Sequence, residues 1–151
     1  MLQTLRNLPD RIAEVVEALS GAGGDWRPQP EAWTCRQLVA HLSAADPLFE
    51  KRLARIVAEN NPQLPYFGPD TARPEADAPL PELLSRFRTQ RDHLLKFLSA
   101  FPPEAWERPA VHETMGPTTF AQQIQNIINH DTDHLGQLDD LRREWESQAH
   151  G

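Results

Sequence analysis

The chain has 151 residues, enough for one domain with a buried core, and its formal charge of -7 argues against a nucleic-acid surface, which needs clustered Lys and Arg. A single cysteine, Cys35, excludes an intramolecular disulfide and fits a reducing cytoplasm. No stretch reaches the roughly 18 uncharged apolar residues of a membrane span, and Met1-Leu2-Gln3-Thr4-Leu5-Arg6 lacks the pattern of a signal peptide, so a soluble cytoplasmic protein is expected.

Helical periodicity runs through the chain, which reads as all-α, a single domain over residues 1–151. Ile12, Val15, Val16 and Leu19 follow Pro9-Asp10, where proline suits a first helical turn and the aspartate complements the dipole. Leu2, Leu5 and Leu8 form either a preceding turn or a bent extension of this helix. Gly21 to Pro30 reads as a loop. Thr34-Cys35-Arg36-Gln37 then matches the capping box, with Trp33 placed to staple against Leu38. The second helix carries Leu38, Leu42, Ala45, Phe49, Leu53 and Ile56 on one stripe, with His41 on its flank. Pro47 is expected to break or kink it, because proline removes a donor and clashes with the preceding turn.

Asn60 to Pro81 is dense in proline and reads as a semi-extended crossover, neither helix nor inner strand. A third helix places Leu83, Leu84, Phe87, Leu94 and Leu98 on one face, and a short helical turn is expected around Pro102–Trp106. Arg108 to Pro117 reads as a loop. The fourth helix starts near Thr118-Thr119, where Thr119-Phe120-Ala121-Gln122 again matches the capping box. Gln123, Ile127, His130, His134, Leu138 and Leu141 share a face, and Ile124, Ile128 and Leu135 form a second stripe. So wide an apolar arc must meet two neighbours, either two helices of this chain or one of a second subunit. The architecture is a four-helix bundle.

His130 and His134 lie one turn apart on one helical face, where two imidazoles can share a metal ion. Six histidines yield such a spacing by chance in about one chain in five, so spacing alone decides nothing. The case strengthens because both rings face the predicted core, where each ring nitrogen needs a partner. His41, beside the apolar stripe of the second helix, is the candidate third ligand. Three imidazoles suit zinc or nickel, and also iron or manganese, and they leave room for water or substrate. Cys35, six residues from His41, is poorly placed to close the site as a fourth ligand. Asp131 and Asp133 flank the pair and are either hydrogen-bond partners of ligand histidines or solvated carboxylates. His130-Asp131 also matches the His-Asp dyad of phosphohydrolases, but neighbouring helical residues point about 100° apart and His134 would go unused. Gln123, Asn126 and Gln137 near the histidine face suggest a wet, lined cavity. His93 and His150 are expected in solvent, and His112-Glu113 in a surface loop, with reach to the mouth of the site as the alternative. Trp26, Trp33 and Trp106 are expected to close the core, with walling of a substrate pocket as the alternative.

With these residues assembled, the chain resembles the DinB-like superfamily of metal-binding four-helix bundles, also called YfiT-like. The resemblance spans essentially the whole chain and rests on Trp33-Thr34 with Gln37-Leu38 and His41-Leu42, then Gly116-Pro117-Thr118-Thr119-Phe120 leading to His130-Asp131, His134-Leu135 and Gln137. It implies an up-down-down-up bundle, frequently a homodimer, with His41, His130 and His134 binding one divalent metal. Bacillithiol S-transferases and mycothiol-dependent maleylpyruvate isomerases belong to that superfamily. The resemblance thus implies an enzyme that transfers a low-molecular-weight thiol to a small electrophilic substrate. Metal-dependent hydrolysis at the same centre, or a non-catalytic dimeric metal-binding stress protein, are the alternatives. Arg36, Arg52, Arg55 and Arg73 are unranked candidates for binding a thiol cofactor's carboxylates.

Overall fold

The computed structural model describes residues 1–66 and 76–150, without the side chains of Ala149 and His150. The expectations at Pro69, Arg73, Pro74 and the His150 side chain lie outside the described residues. Four helices carry the fold: α1 (Leu2–Ala18), α2 (Cys35–Ala58), α3 (Leu80–Ser99) and α4 (Phe120–His150). No helix among the described residues is long and apolar enough to cross a membrane.

The capping box at Thr34 forms as read: Thr34 Oγ1 accepts from Gln37 N–H at 3.1 Å and Gln37 Oε1 accepts from Thr34 N–H at 3.0 Å. At the start of α4, Thr119 Oγ1 accepts from Gln122 N–H at 3.2 Å. Both prolines lie within helices. Pro9 lies inside α1, so Leu5, Leu8, Ile12 and Val16 bury one face of a single helix. Pro47 does not end α2. It sits exposed, on the side where a lost backbone bond is replaced by water, while Leu42, Ala45, Phe49 and Leu53 stay buried across it. Continuous burial on the inner face, at about 1.5–3 kcal/mol per large apolar side chain, offsets a proline cost of about 3 kcal/mol.

Cross-helix bonds give the directions. Arg88 bonds Asp10 whereas Arg91, further along α3, reaches back to Leu5 O, so α1 and α3 are antiparallel. Arg91 meets Asp46 and His93 meets Glu50, so α2 and α3 are parallel. His41 meets His130 and Arg52 meets Gln123, so α2 and α4 are antiparallel. The result is up-down-down-up. α1 and α2 each pack on both α3 and α4, which stations the first two helices at opposite corners. The wide apolar arc of α4 is therefore met by α1 and α2 of the same chain.

A small sheet corrects the loop expected at Arg108 to Pro117. β2 (Pro109–His112) and β3 (Gly116–Thr119) form an antiparallel hairpin, with Ala110 opposite Thr118 and His112 opposite Gly116. Gly116, at φ +75°, supplies the left-handed residue that ends the turn. Within the proline-rich crossover, β1 (Gln63–Leu64) adds a parallel edge strand to β2. Arg108, just before β2, donates to Ile56 O at 2.9 Å and Glu59 O at 3.0 Å, covering free carbonyls at the end of α2. The sheet thus fastens the C-terminal end of α2 to the N-terminal end of α4.

Candidate metal centre

His41 of α2 and His130 and His134 of α4 converge, with their ligand nitrogens all within 4.8 Å of one another. Ring centroids stand 5.0 Å apart for His41–His130, 4.7 Å for His41–His134 and 4.5 Å for His130–His134. The outer nitrogens of the α4 pair are already engaged. His130 Nδ1 lies 3.0 Å from Asp131 Oδ1 and His134 Nδ1 lies 2.5 Å from Gln137 Oε1. Both partners accept, so each neutral ring carries its proton on Nδ1 and presents a lone pair at Nε2. His41 Nε2 and His130 Nε2 approach to 2.9 Å. Two imine nitrogens that close repel unless a proton or a cation stands between them. The donor set thus fits a divalent metal and could hold one. Burial, followed by the neighbouring His130, lowers the His134 pKa to about 4, which keeps that ring neutral at pH 7.

Among the described residues, these three are the only group of histidine, cysteine or carboxylate side chains close enough to share an ion. Cys35 is buried, and burial together with Asp25 raises its thiol pKa to about 12, so it stays protonated. Asp131 does not face the ion site as the dyad reading requires. Its carboxylate turns into the bundle, 1 % exposed, and receives Arg91 Nη2 at 2.5 Å. Arg91, also 1 % exposed, forks onto Asp46 through Nε at 2.8 Å and Nη2 at 3.1 Å, and donates to Leu5 O at 3.0 Å. Burial alone would raise the Asp131 pKa, but the His130 bond and the Arg91 charge pull it below its ordinary value. Burial pushes the Asp46 carboxyl up, against the pull of Arg91. The Arg91 guanidinium, despite its burial, is held above its usual pKa by Asp131 and Asp46.

The triad lines a cleft of about 860 Å³, roughly the size of a drug-sized ligand site. Trp33 packs edge-on against His41 at 5.4 Å and Phe49 against His130 at 5.2 Å, so both walls beside the metal position are aromatic. Trp33 thus serves the cleft as well as the helix start. Trp26 packs at a tilt against Trp145 at 5.7 Å, and Trp106 likewise against Phe120 at 6.0 Å. Asn126, Asp133 and Gln137 reach the cleft as well, and buried Gln123 is bonded to Thr118. His93 is exposed and paired with Glu50 at 2.7 Å. His112 departs from the surface-loop expectation: it is buried in β2 and lines the cleft. Of the four arginines, only Arg52 lines the cleft among the described residues, whereas Arg36 pairs with Asp25 and Arg55 with Glu59.

A family model described as the DinB superfamily matches residues 4–138, including all three histidines. The chain belongs to the DinB superfamily. Two solved structures share the DinB fold seen here. YfiT from Bacillus subtilis, described as a probable metal-dependent hydrolase with an unusual four-helix bundle topology, is 18 % identical, with a TM-score of 0.83 over 96 % of this chain and 85 % of its own. A DinB-like protein from the same organism, YjoA, is 16 % identical, with a TM-score of 0.68 over 96 % of this chain and 91 % of its own. No curated protein matches the chain in sequence.

Proposed function

We infer that this DinB-superfamily chain is a metal-dependent enzyme, with His41, His130 and His134 as the ligands, that transfers a low-molecular-weight thiol to a small electrophile. The observation that carries the reading is a three-histidine cluster at the wall of a cleft, with no fourth side-chain ligand among the described residues. A divalent ion bound there would supply Lewis acidity, lowering the pKa of a thiol enough to make it a nucleophile near neutral pH. The protein's own contribution is positional. Asp131 and Gln137 fix the tautomers of His130 and His134, so that both Nε2 lone pairs face one point. Trp33 and Phe49 supply apolar walls that exclude water from beside that point.

Hydrolysis is the second reading, favoured by the description of YfiT and by the same open donor set. The experiment incubates zinc- or nickel-loaded protein with a panel of small thiols and a chromogenic electrophile, beside chromogenic esters without thiol. Thiol-dependent conjugation that disappears on chelation and in His41→Ala, His130→Ala and His134→Ala is the expected result. Thiol-independent ester cleavage with the same sensitivities would replace transfer by hydrolysis. Activity that survives both chelation and His134→Ala would remove every metal mechanism.

A further inference from the structure

The two ends of the cleft differ in charge. Toward the C-terminal half of α4 its rim carries Asp133, Asp140 and Glu144, joined by Glu31 from the loop before α2. An anionic group is repelled from that end. In the other direction, past Phe49 and Asn126, the wall is made by Arg52 of α2 and His112 of β2.

His112 is 4 % exposed, and its Nδ1 accepts from the backbone N–H groups of Thr114 at 3.1 Å and Met115 at 3.2 Å. The Thr114 hydroxyl stands 3.2 Å from the same nitrogen. A ring whose Nδ1 accepts carries its proton on Nε2 when neutral. Among the described residues that Nε2–H has no hydrogen-bond partner. Nor does any fully buried side-chain nitrogen or oxygen among them lack one, so the Nε2–H opens on the cleft. Burial and then the charge of Arg52 lower the His112 pKa, and the two residues are connected through Pro65, whose carbonyl accepts from Arg52, and the adjacent Tyr66, whose ring lies 6.4 Å from that of His112. Arg52 Nη2 donates to Pro65 O at 3.0 Å and Nη1 to Gln123 Oε1 at 3.4 Å, and Gln123 is itself anchored on Thr118 Oγ1 at 3.1 Å. The exposed carboxylate of Glu113, in the turn after His112, is engaged by the Tyr66 backbone N–H at 2.7 Å.

We propose that Arg52 and His112 form an anion subsite that takes a carboxylate of the small molecule whose other end reaches the histidine triad. An N–H that opens on a cleft also lined by a guanidinium is matched by an oxygen anion and mismatched by an apolar group. The subsite deepens the transfer reading, on which its substrate end rests: the molecule that enters is an acid. Arg52 meets α4 at Gln123, seven residues before His130, which is on the order of 10 Å of helix rise. The carboxylate and the reacting atom are therefore several bonds apart. Among the described arginines, Arg52 is the one that lines this cleft.

The test uses probes without a thiol, hexanoate and its neutral isostere hexanamide, titrated calorimetrically into the full chain with and without chelator. Hexanoate is expected to bind about tenfold more tightly than hexanamide, as for a charge-assisted bond of about 1.5 kcal/mol, and equally in chelator. Arg52→Gln should erase the preference. His112→Asn, which keeps an acceptor for the turn but removes the Nε2–H, should weaken it, and His112→Gln, which retains a donor, should restore it. In the unmodified protein, the His112 Nε2–H resonance should shift with hexanoate and stay in place with hexanamide, a reading that needs no variant to fold. Equal affinities, a preference that vanishes with chelator, or an unmoved His112 resonance would overturn the subsite. Because no thiol is present, that result leaves thiol transfer untouched, and absence of transfer leaves the carboxylate preference untouched.

Discussion

Single residues decide how the triad is held. The three histidines are legible in the sequence because helical spacing puts two on one face and an apolar stripe locates the third. Asp131 is legible only as a neighbour. Whether it turns to solvent or to His130 depends on Arg91, 40 positions away, and no local pattern carries that information. The bond from His130 Nδ1 to Asp131 makes a testable claim. Asp131→Asn should lower zinc affinity about tenfold, and Asp131→Ala by up to about 100-fold, measured by chelator competition. Asp46→Asn disturbs the same guanidinium without touching His130 and should leave the affinity within about twofold. A loss in Asp46→Asn equal to that in Asp131→Asn would reassign the effect to packing. His134 makes a second claim. Its folded pKa of about 4 lies below the ordinary histidine value of 6.5, so between those values the unfolded chain binds a proton that the folded chain refuses. Stability of the metal-free protein should therefore fall as pH drops from 6.5 toward 4, and His134→Gln should flatten that part of the curve in urea melts.

Among the elements, α3 shows how a charge can be hidden in an apolar face. Leu83, Phe87, Leu94 and Leu98 define its stripe, and Arg91 falls on the same stripe, four residues after Phe87 and three before Leu94. Asp46 holds the equivalent place in α2, between Leu42 and Phe49. Opposite charges set into two apolar stripes were the available signal for a buried pair. The hairpin gave none, since four-residue strands with a proline in each are too short for alternation to register. With it went the burial of His112. Arg91 bonds Leu5 of α1, Asp46 of α2 and Asp131 of α4, so one guanidinium touches the other three helices. Arg91→Met should cost about 3–5 kcal/mol in chemical denaturation, because two carboxylates then stay buried without their cation. Replacing all three charged residues with apolar ones of similar volume should recover most of that loss, whereas a cost of under 1 kcal/mol for Arg91→Met alone would show the network to be structurally idle.

At the level of the whole molecule, the up-down-down-up order sets α2 against α4, although 89 positions separate His41 from His130. Their imidazoles meet only once the bundle has closed. An ion held by all three would consequently be linked to folding, and zinc at 100 times its dissociation constant should stabilise the chain by about 2.7 kcal/mol, read as a chelator-reversible rise in Tm. His41→Ala should abolish that rise. An equal rise in the variant would place the ion elsewhere.

The sheet that joins the end of α2 to the start of α4 has a further consequence. The histidine triad is made by helices, whereas the far wall of the cleft comes partly from a hairpin of eleven residues, Pro109–Thr119. The triad and this part of the wall thus occupy separate stretches of chain. Such a scaffold can be given a new faceplate on that side, by exchanging only the hairpin residues that face the cleft, while the three histidines stay in register.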